Sequence, residues 1–239
     1  MLNPEQQKQT ARQIEAYERE ASARVVSVPF GEKALELNVE QFVANPEIMN
    51  SGIQVVEYLQ KNPDLVKGRV VTDMGTGCGI IGIASGLLGA QEVLMPDVDE
   101  RAVKNALENI ERLNMGGVCE TFQSDLFNNF AGKPKSDVQI FNHPFFSVPP
   151  VEGKEWTRMM FGGTGLIARY FEEAPHFSSE DAIYILPWLT IAGHEGAEVD
   201  NDPGKRALDF GYKIITITEQ APVKQGLQQS SFKIYTLKR

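Results

Sequence analysis

An α/β fold built on a mostly parallel, doubly wound sheet is the architecture the sequence predicts, and three observations point to it. From Arg69 onward, short apolar runs rich in β-branched residues alternate with longer amphipathic runs, the pattern of strand and crossover helix. The first of these runs, Val70-Val71-Thr72-Asp73-Met74, leads straight into Gly75-Thr76-Gly77-Cys78-Gly79, a strand entering a turn able to wrap a nucleoside cofactor. About 70 residues later, Phe141-Asn142-His143-Pro144-Phe145 places a carboxamide and an aromatic ring after another strand.

Each element follows from local signals. Residues 3–23 are polar, with Pro4 near the start, and read as a surface helix whose thin apolar stripe is Ile14, Tyr17 and Ala21. Residues 25–28 and 33–37 flank a turn at 29–32 and predict a hairpin, and 47–59 returns to helical spacing. This gives an N-terminal accessory region over 1–65 ahead of a sheet domain over 66–239. Strands are expected at 69–73, 92–97, 118–123, 138–142 and 182–186, and helices at 80–88, 100–113 and 165–174. The last two strands, 212–219 and 230–237, have no clear helix between them, and 222–229 reads as a polar loop, which favours an antiparallel pair at the sheet edge.

At 239 residues the chain holds one catalytic domain plus an appendage. With 42% hydrophobic and 23% charged residues its composition is that of a globular protein, and no apolar run approaches the roughly 18 residues of a membrane span. Met1 to Lys8 lacks the apolar stretch of a secretory leader, so a cytoplasmic location is expected. The two cysteines, Cys78 and Cys119, fall in a glycine turn and a strand and read as reduced thiols. The three histidines, His143, His176 and His194, are scattered, and no metal is expected. A net charge of −9 disfavours broad attraction to a phosphate backbone, which makes nucleic acid the less favoured partner, although a local basic patch is compatible with an acidic total.

Gly75, Gly77 and Gly79 allow a sharp turn and close approach to a ligand, and the helix that follows offers unpaired N–H groups. Asp73 closes the strand before the turn, where a carboxylate can attract the cationic amino group of a bound amino acid. Asp97 ends the next strand, where a carboxylate can accept both hydroxyls of a ribose, and Asp99 reads as the N-cap of the helix beginning near Glu100. Asp125, in Ser124-Asp125-Leu126-Phe127, follows the third strand and can accept a bond from an adenine amino group, with Leu126 covering the ring. Gly77-x-Gly79-x-x-Gly82 also satisfies the dinucleotide fingerprint, so a nicotinamide-dependent oxidoreductase is a rival reading, though Asp73 would repel a pyrophosphate.

On these residues the chain resembles class I S-adenosylmethionine-dependent methyltransferases over 42–186. Asp73-x-Gly75-x-Gly77-x-Gly79 looks like their first motif, with Thr76 and Cys78 completing the turn; Asp97, beside Val98, looks like their ribose-binding acid, and Ser124-Asp125-Leu126-Phe127 like their adenine-contacting segment. The resemblance implies S-adenosylmethionine as cofactor. It also implies a Rossmann-like seven-stranded sheet whose last strand inserts antiparallel beside the sixth, with helices on both faces.

Methyl transfer from a sulfonium is an in-line displacement, so the enzyme must align an acceptor lone pair and exclude water. Asn142 can accept one acceptor N–H through its side-chain oxygen while the carbonyl of His143 accepts the other, and Phe145 can stack on a planar acceptor. Asn142-His143-Pro144-Phe145 resembles the Asn-Pro-Pro-aromatic motif of methyltransferases that modify amide or exocyclic nitrogens, among them small-domain protein-glutamine N5-, adenine-N6- and guanine-N2-methyltransferases. His143 departs from that motif, and Pro144 still biases residue 143 toward an extended backbone. As a side chain, His143 reads either as a general base or as loop packing. Phe42-Val43-Ala44-Asn45-Pro46-Glu47 and Phe161-Gly162-Gly163-Thr164-Gly165-Leu166 also resemble segments of the protein-glutamine enzymes, Phe-Ile-Pro-Arg-Pro-Glu and Gly-Gly-x-x-Gly-Leu. The function implied is N-methyl transfer to an amide or amino nitrogen of a protein or small molecule. A nucleobase methyltransferase and a cofactor-binding module without turnover are the alternatives.

Overall fold

The structure, a computed structural model, describes residues 11–191, 202–225 and 228–239 apart from 13, 16, 147 and 164. His194, residues 3–10 of the expected N-terminal helix, Thr164, and Gly226 and Leu227 of the expected polar loop lie outside the described residues.

Two strands, β1 (Arg24–Phe30) and β2 (Lys33–Val39), form an antiparallel hairpin around Gly31-Glu32, with Gly31 supplying the positive φ of the turn. Seven more make one sheet: β3 (Val70–Met74), β4 (Glu92–Asp97), β5 (Cys119–Gln123), β6 (Ser136–Phe141), β7 (Ser178–Ile191), β8 (Lys213–Gln225) and β9 (Gln228–Lys238). Their order is β5-β4-β3-β6-β7-β9-β8, parallel from β5 through β7, with β9 antiparallel between β7 and β8. The order runs outward on both sides of the β3–β6 pair, so a crevice opens at the carboxyl ends of these two strands.

Helices cover both faces. On one lie α1 (Ser51–Lys61), α2 (Ile80–Leu87) and α3 (Glu100–Arg112), which bury Val55, Leu59, Ile83 and Ile110 in a core shared with Val71 and Val138. On the other, α4 (Leu166–Glu173) and the short α5 (Pro203–Asp209) bury Ile167, Phe171 and Ala207 against Tyr184 and Leu237. Asp99 caps α3 by accepting from the Arg101 amide at 3.0 Å, as its position before Glu100 predicts. The hairpin is not a detached appendage: Val26, Val28, Leu35 and Leu37 enter the same core as β3. Ile14, Tyr17 and Ala21, the stripe of the N-terminal helix, are buried against Phe146, Trp156 and Phe161.

Two expectations need correction, and one helix goes beyond them. Residues 222–225 and 228–229 are strand, not loop, because cross-strand pairing continues to Val223↔Ser230 and Gln225↔Gln228. The helix expected at 47–59 begins only at Ser51, since 45–49 form hydrogen-bonded turns on the Asn45 carbonyl. α5 was not expected, yet it has a recognisable start: Asp202 accepts from the amides of Gly204 and Lys205, and Pro203 occupies the first turn. Among the described residues no helix is long and apolar enough to cross a membrane.

Candidate functional site

At the carboxyl ends of β3, β4 and β6 lies a cavity of about 550 Å³. Its first wall is backbone. After Met74 the chain turns through Gly75 and Gly77, at φ of +67° and +59°, and the amides of Gly75 and Thr76 donate to the Pro96 carbonyl at 2.9 and 3.2 Å. Any side chain at 75 or 77 would be strained. Asp97 closes the turn from β4: Oδ2 accepts from the Gly77 amide and Oδ1 from the Asp99 amide, both at 2.9 Å. Burial pushes its carboxyl up to about 6 against those two bonds. Each oxygen has accepting capacity beyond its one amide bond, and Asp97 lines the cavity. Val98, Ser124, Asp125 and Leu126 continue this wall; Ser124 Oγ donates to the Leu126 carbonyl at 2.7 Å and holds Leu126 at φ +48°.

Asp73 and Gly79, expected on this wall, stand one layer behind it, outside the residues that line the cavity. Asp73 Oδ2 accepts from Thr76 Oγ1 at 2.7 Å and from the Gly82 amide at 2.8 Å, tying the turn to the helix that follows. With the carboxyl wholly enclosed, burial pushes its pKa up to about 7. Gly79 is the left-handed residue at the start of α2, where an added Cβ would lie 3.1 Å from Ile83 and Met95. Cys78 lines the cavity, and burial pushes its thiol up to about 12, so it stays protonated.

The opposite wall is made of side chains. Asn142, just past β6, donates from Nδ2 to Ser51 Oγ at 3.1 Å. Gly52 lets α1 come close, since a Cβ there would lie 3.2 Å from Ile80 and 4.0 Å from Asn142 Nδ2. Phe145 stands edge-on to His143 and Trp188 at centroid distances of 5.3 and 5.8 Å. His143 is buried and stacks on Trp188 at 5.9 Å, with Nδ1 3.1 Å from the Pro144 carbonyl. Burial pushes its pKa down to about 4, against the pull of the Pro144 and Pro187 carbonyls. A ring that resists protonation this strongly is a weak proton acceptor, which favours packing over general-base work.

In the remainder of this wall, Trp156 carries no motif in the sequence, whereas Phe42 and Tyr17 belong to segments the sequence singles out. Trp156 is sandwiched between Tyr17 and Phe42, each 5.3 Å away and nearly parallel, and all three line the cavity. Tyr17 holds the strap before α1: its hydroxyl donates to the Val43 carbonyl at 2.6 Å and accepts from the Asn45 amide at 3.3 Å. Among the described lining residues, the carboxylates are Asp97, which ends β4, Asp99 and Asp125; the segment 142–146 that follows β6 contributes none. No group of three or more His, Cys, Asp or Glu side chains suited to a metal ion occurs among the described residues.

The cavity suits a nucleoside with an amino-acid tail: a glycine turn at one end, a strand-end carboxylate beside it, and a second acid beside a leucine. A parallel sheet with its last strand inserted antiparallel, crossed by such a cavity, defines the class I methyltransferase architecture. Residues 50–142 match the family described as ribosomal protein L11 methyltransferase (PrmA). The chain is 40% identical over 143 residues to the ribosomal protein L11 methyltransferase of Caldanaerobacter subterraneus subsp. tengcongensis, 56% of this chain and 45% of that protein, so it spans less than half that relative's length. It is 37% identical over 197 residues to the protein N-terminal and lysine N-methyltransferase of Schizosaccharomyces pombe, 70% of this chain and 76% of that one. In fold it resembles the Thermus thermophilus 16S rRNA N2 G1207 methyltransferase, solved with AdoMet and guanosine, with a TM-score of 0.59 at 16% identity, over 92% of this chain and 51% of that one. The chain belongs to the class I S-adenosylmethionine-dependent methyltransferases.

Proposed function

We propose that the chain is an S-adenosylmethionine-dependent N-methyltransferase acting on an amide or amino nitrogen, with a protein as the first candidate acceptor and a small molecule as the second. The observation that carries this reading is Asn142, placed at the end of β6 in the same cavity as the glycine turn and Asp97 and held there by Ser51. Nδ2 can only donate and gives one N–H to Ser51, so Oδ1 is the atom with which Asn142 accepts a substrate N–H.

The cofactor supplies a methyl group on a sulfonium. The chain's part is to bind and orient: Asp97 to accept the ribose hydroxyls, Asp125 and Leu126 to hold the adenine, and the 75–78 turn, with glycine at 75 and 77, to let the tail approach the backbone closely. The segment that follows β6, Asn142-His143-Pro144-Phe145-Phe146, lines the cavity without a carboxylate to attract an ammonium group. This favours a nitrogen that arrives uncharged, an amide ahead of a protonated amine. Two relatives named for methyl transfer to proteins support a protein acceptor.

The test is transfer of labelled methyl from S-adenosylmethionine to fractionated cell extract, followed by total acid hydrolysis of the product. An amide acceptor releases labelled methylamine, and an amine acceptor leaves a labelled methylated amino acid. Label in nucleic acid, or no transfer to any fraction by a chain that binds the donor, would refute the protein N-methyltransferase reading.

A further inference from the structure

The hairpin and the glycine turn meet through two asparagines of α3. Asn105 and Asn109 lie one helical turn apart on the buried face of that helix, alongside Ala102, Ala106 and Ile110. A buried amide without partners costs about 1–3 kcal/mol, so two on an apolar face need a reason. Asn105 accepts from the Glu40 amide at 3.1 Å and donates to the Asn38 carbonyl at 2.9 Å. Asn109 accepts from the Asn38 amide at 2.8 Å and donates to the Asn38 carbonyl at 2.7 Å. To this point the two act alike, fastening the end of β2 to α3.

Asn109 does one thing more: its Nδ2 also donates to the Cys78 carbonyl at 2.9 Å. Cys78 belongs to the turn that forms one wall of the cavity. The chain leaving Asn38 runs within a few residues into the strap at 42–46, whose Phe42, Val43, Ala44 and Pro46 form the facing wall. Where turn and strap meet, a Cβ on Gly77 would lie 3.5 Å from that of Ala44. Phe42 sits at φ +65°, a backbone state that a bulky side chain keeps only when its surroundings enforce it. The strap therefore depends on an anchor just upstream, and that anchor is shared with the turn.

We propose that Asn109 is a positioning residue of the donor site. By gripping the Cys78 carbonyl and the Asn38 peptide with one carboxamide, it sets the spacing between turn and strap and so the affinity for the donor. This rests on the S-adenosylmethionine reading above.

Asn105 provides the control, since it shares the hairpin bonds and lacks the bond to the turn. Urea unfolding and calorimetric titration with S-adenosylhomocysteine are to be run on the wild type, Asn105→Ala and Asn109→Ala. Asn105→Asp and Asn109→Asp, which keep side-chain size and the acceptor oxygen, replace the alanine pair if Asn109→Ala does not fold. Both members of a pair should lose stability to a similar degree. The Asn109 variant should weaken S-adenosylhomocysteine about tenfold or more, about 1.4 kcal/mol, while the Asn105 variant stays within about threefold. Equal affinities in the two variants would overturn the positioning role. A wild type that does not bind S-adenosylhomocysteine would instead overturn the donor reading on which it rests.

Discussion

One side of the cavity is backbone and the other is side chain. Around Gly75–Cys78 the surface comes from a turn whose amides bond to Pro96 and Asp97, and whose shape is fixed by a buried acid behind it. Around Asn142 it comes from Tyr17, Phe42, Ser51, Phe145 and Trp156, contributed by separate parts of the chain. A backbone surface can hold a constant ligand, whatever the side chains nearby, whereas a surface assembled from distant side chains can change its ligand by changing a few residues. The first suits the donor shared by a whole family, and the second suits an acceptor particular to one protein.

If this division is real, substitutions on the two sides should have separable effects. Asn142→Ala should lower turnover by about two to three orders of magnitude, as loss of a contact made mainly in the transition state does, while S-adenosylhomocysteine affinity stays within about threefold of wild type. Steady-state kinetics beside calorimetry checks this, and a parallel fall in donor affinity would erase the distinction. Trp156→Ala removes the middle ring of the Tyr17–Trp156–Phe42 stack and should cost about 3 kcal/mol in urea unfolding, as large-to-small core changes do. Its kinetic effect should fall on the acceptor KM rather than the donor KM.

From the other side, Asp97→Ala should weaken S-adenosylhomocysteine by about tenfold or more, with turnover at saturating donor close to wild type. The smallest effect concerns His143. Its pKa drops from 6.5 in the unfolded chain to about 4 in the fold, so on acidification the unfolded chain takes up the proton first. Stability from this group is complete above about 6.5 and is lost as pH falls toward about 4. Asp73, pushed up to about 7, has the opposite slope, so only a difference curve isolates His143. Between about pH 7 and about pH 5, His143→Asn should flatten the acid loss by on the order of 1 kcal/mol in urea midpoints measured against wild type. An unchanged slope would mean that the ring is not held neutral.

The same contrast explains what could be read from the chain. The turn, the acids at the strand ends and the alternation of strand and helix are signals carried within a few residues, so β3 to β7 and the glycine turn are legible in the sequence. The position of Asp73 at a strand end suggests an outward carboxylate; its burial depends on Thr76 and Gly82 folding back over it, which no local pattern shows. Trp156 has no motif; it matters because Tyr17 and Phe42, more than 100 residues away in sequence, close on either side of it. The adjoining ends of β8 and β9 are not legible locally, because their polar sequence reads as a loop while backbone pairing makes it a hairpin. The start of α5 has a local signal, Asp202-Pro203, in its cap and first turn.

A crystal structure of the full chain grown with S-adenosylhomocysteine decides whether one cavity brings donor and acceptor groups together. The ribose should lie on Asp97, the adenine beside Leu126, and the sulfur should face the side of the cavity where Asn142 stands. Density for the ligand elsewhere, or Asn142 separated from the sulfur by protein, would show that the carboxamide does not serve methyl transfer.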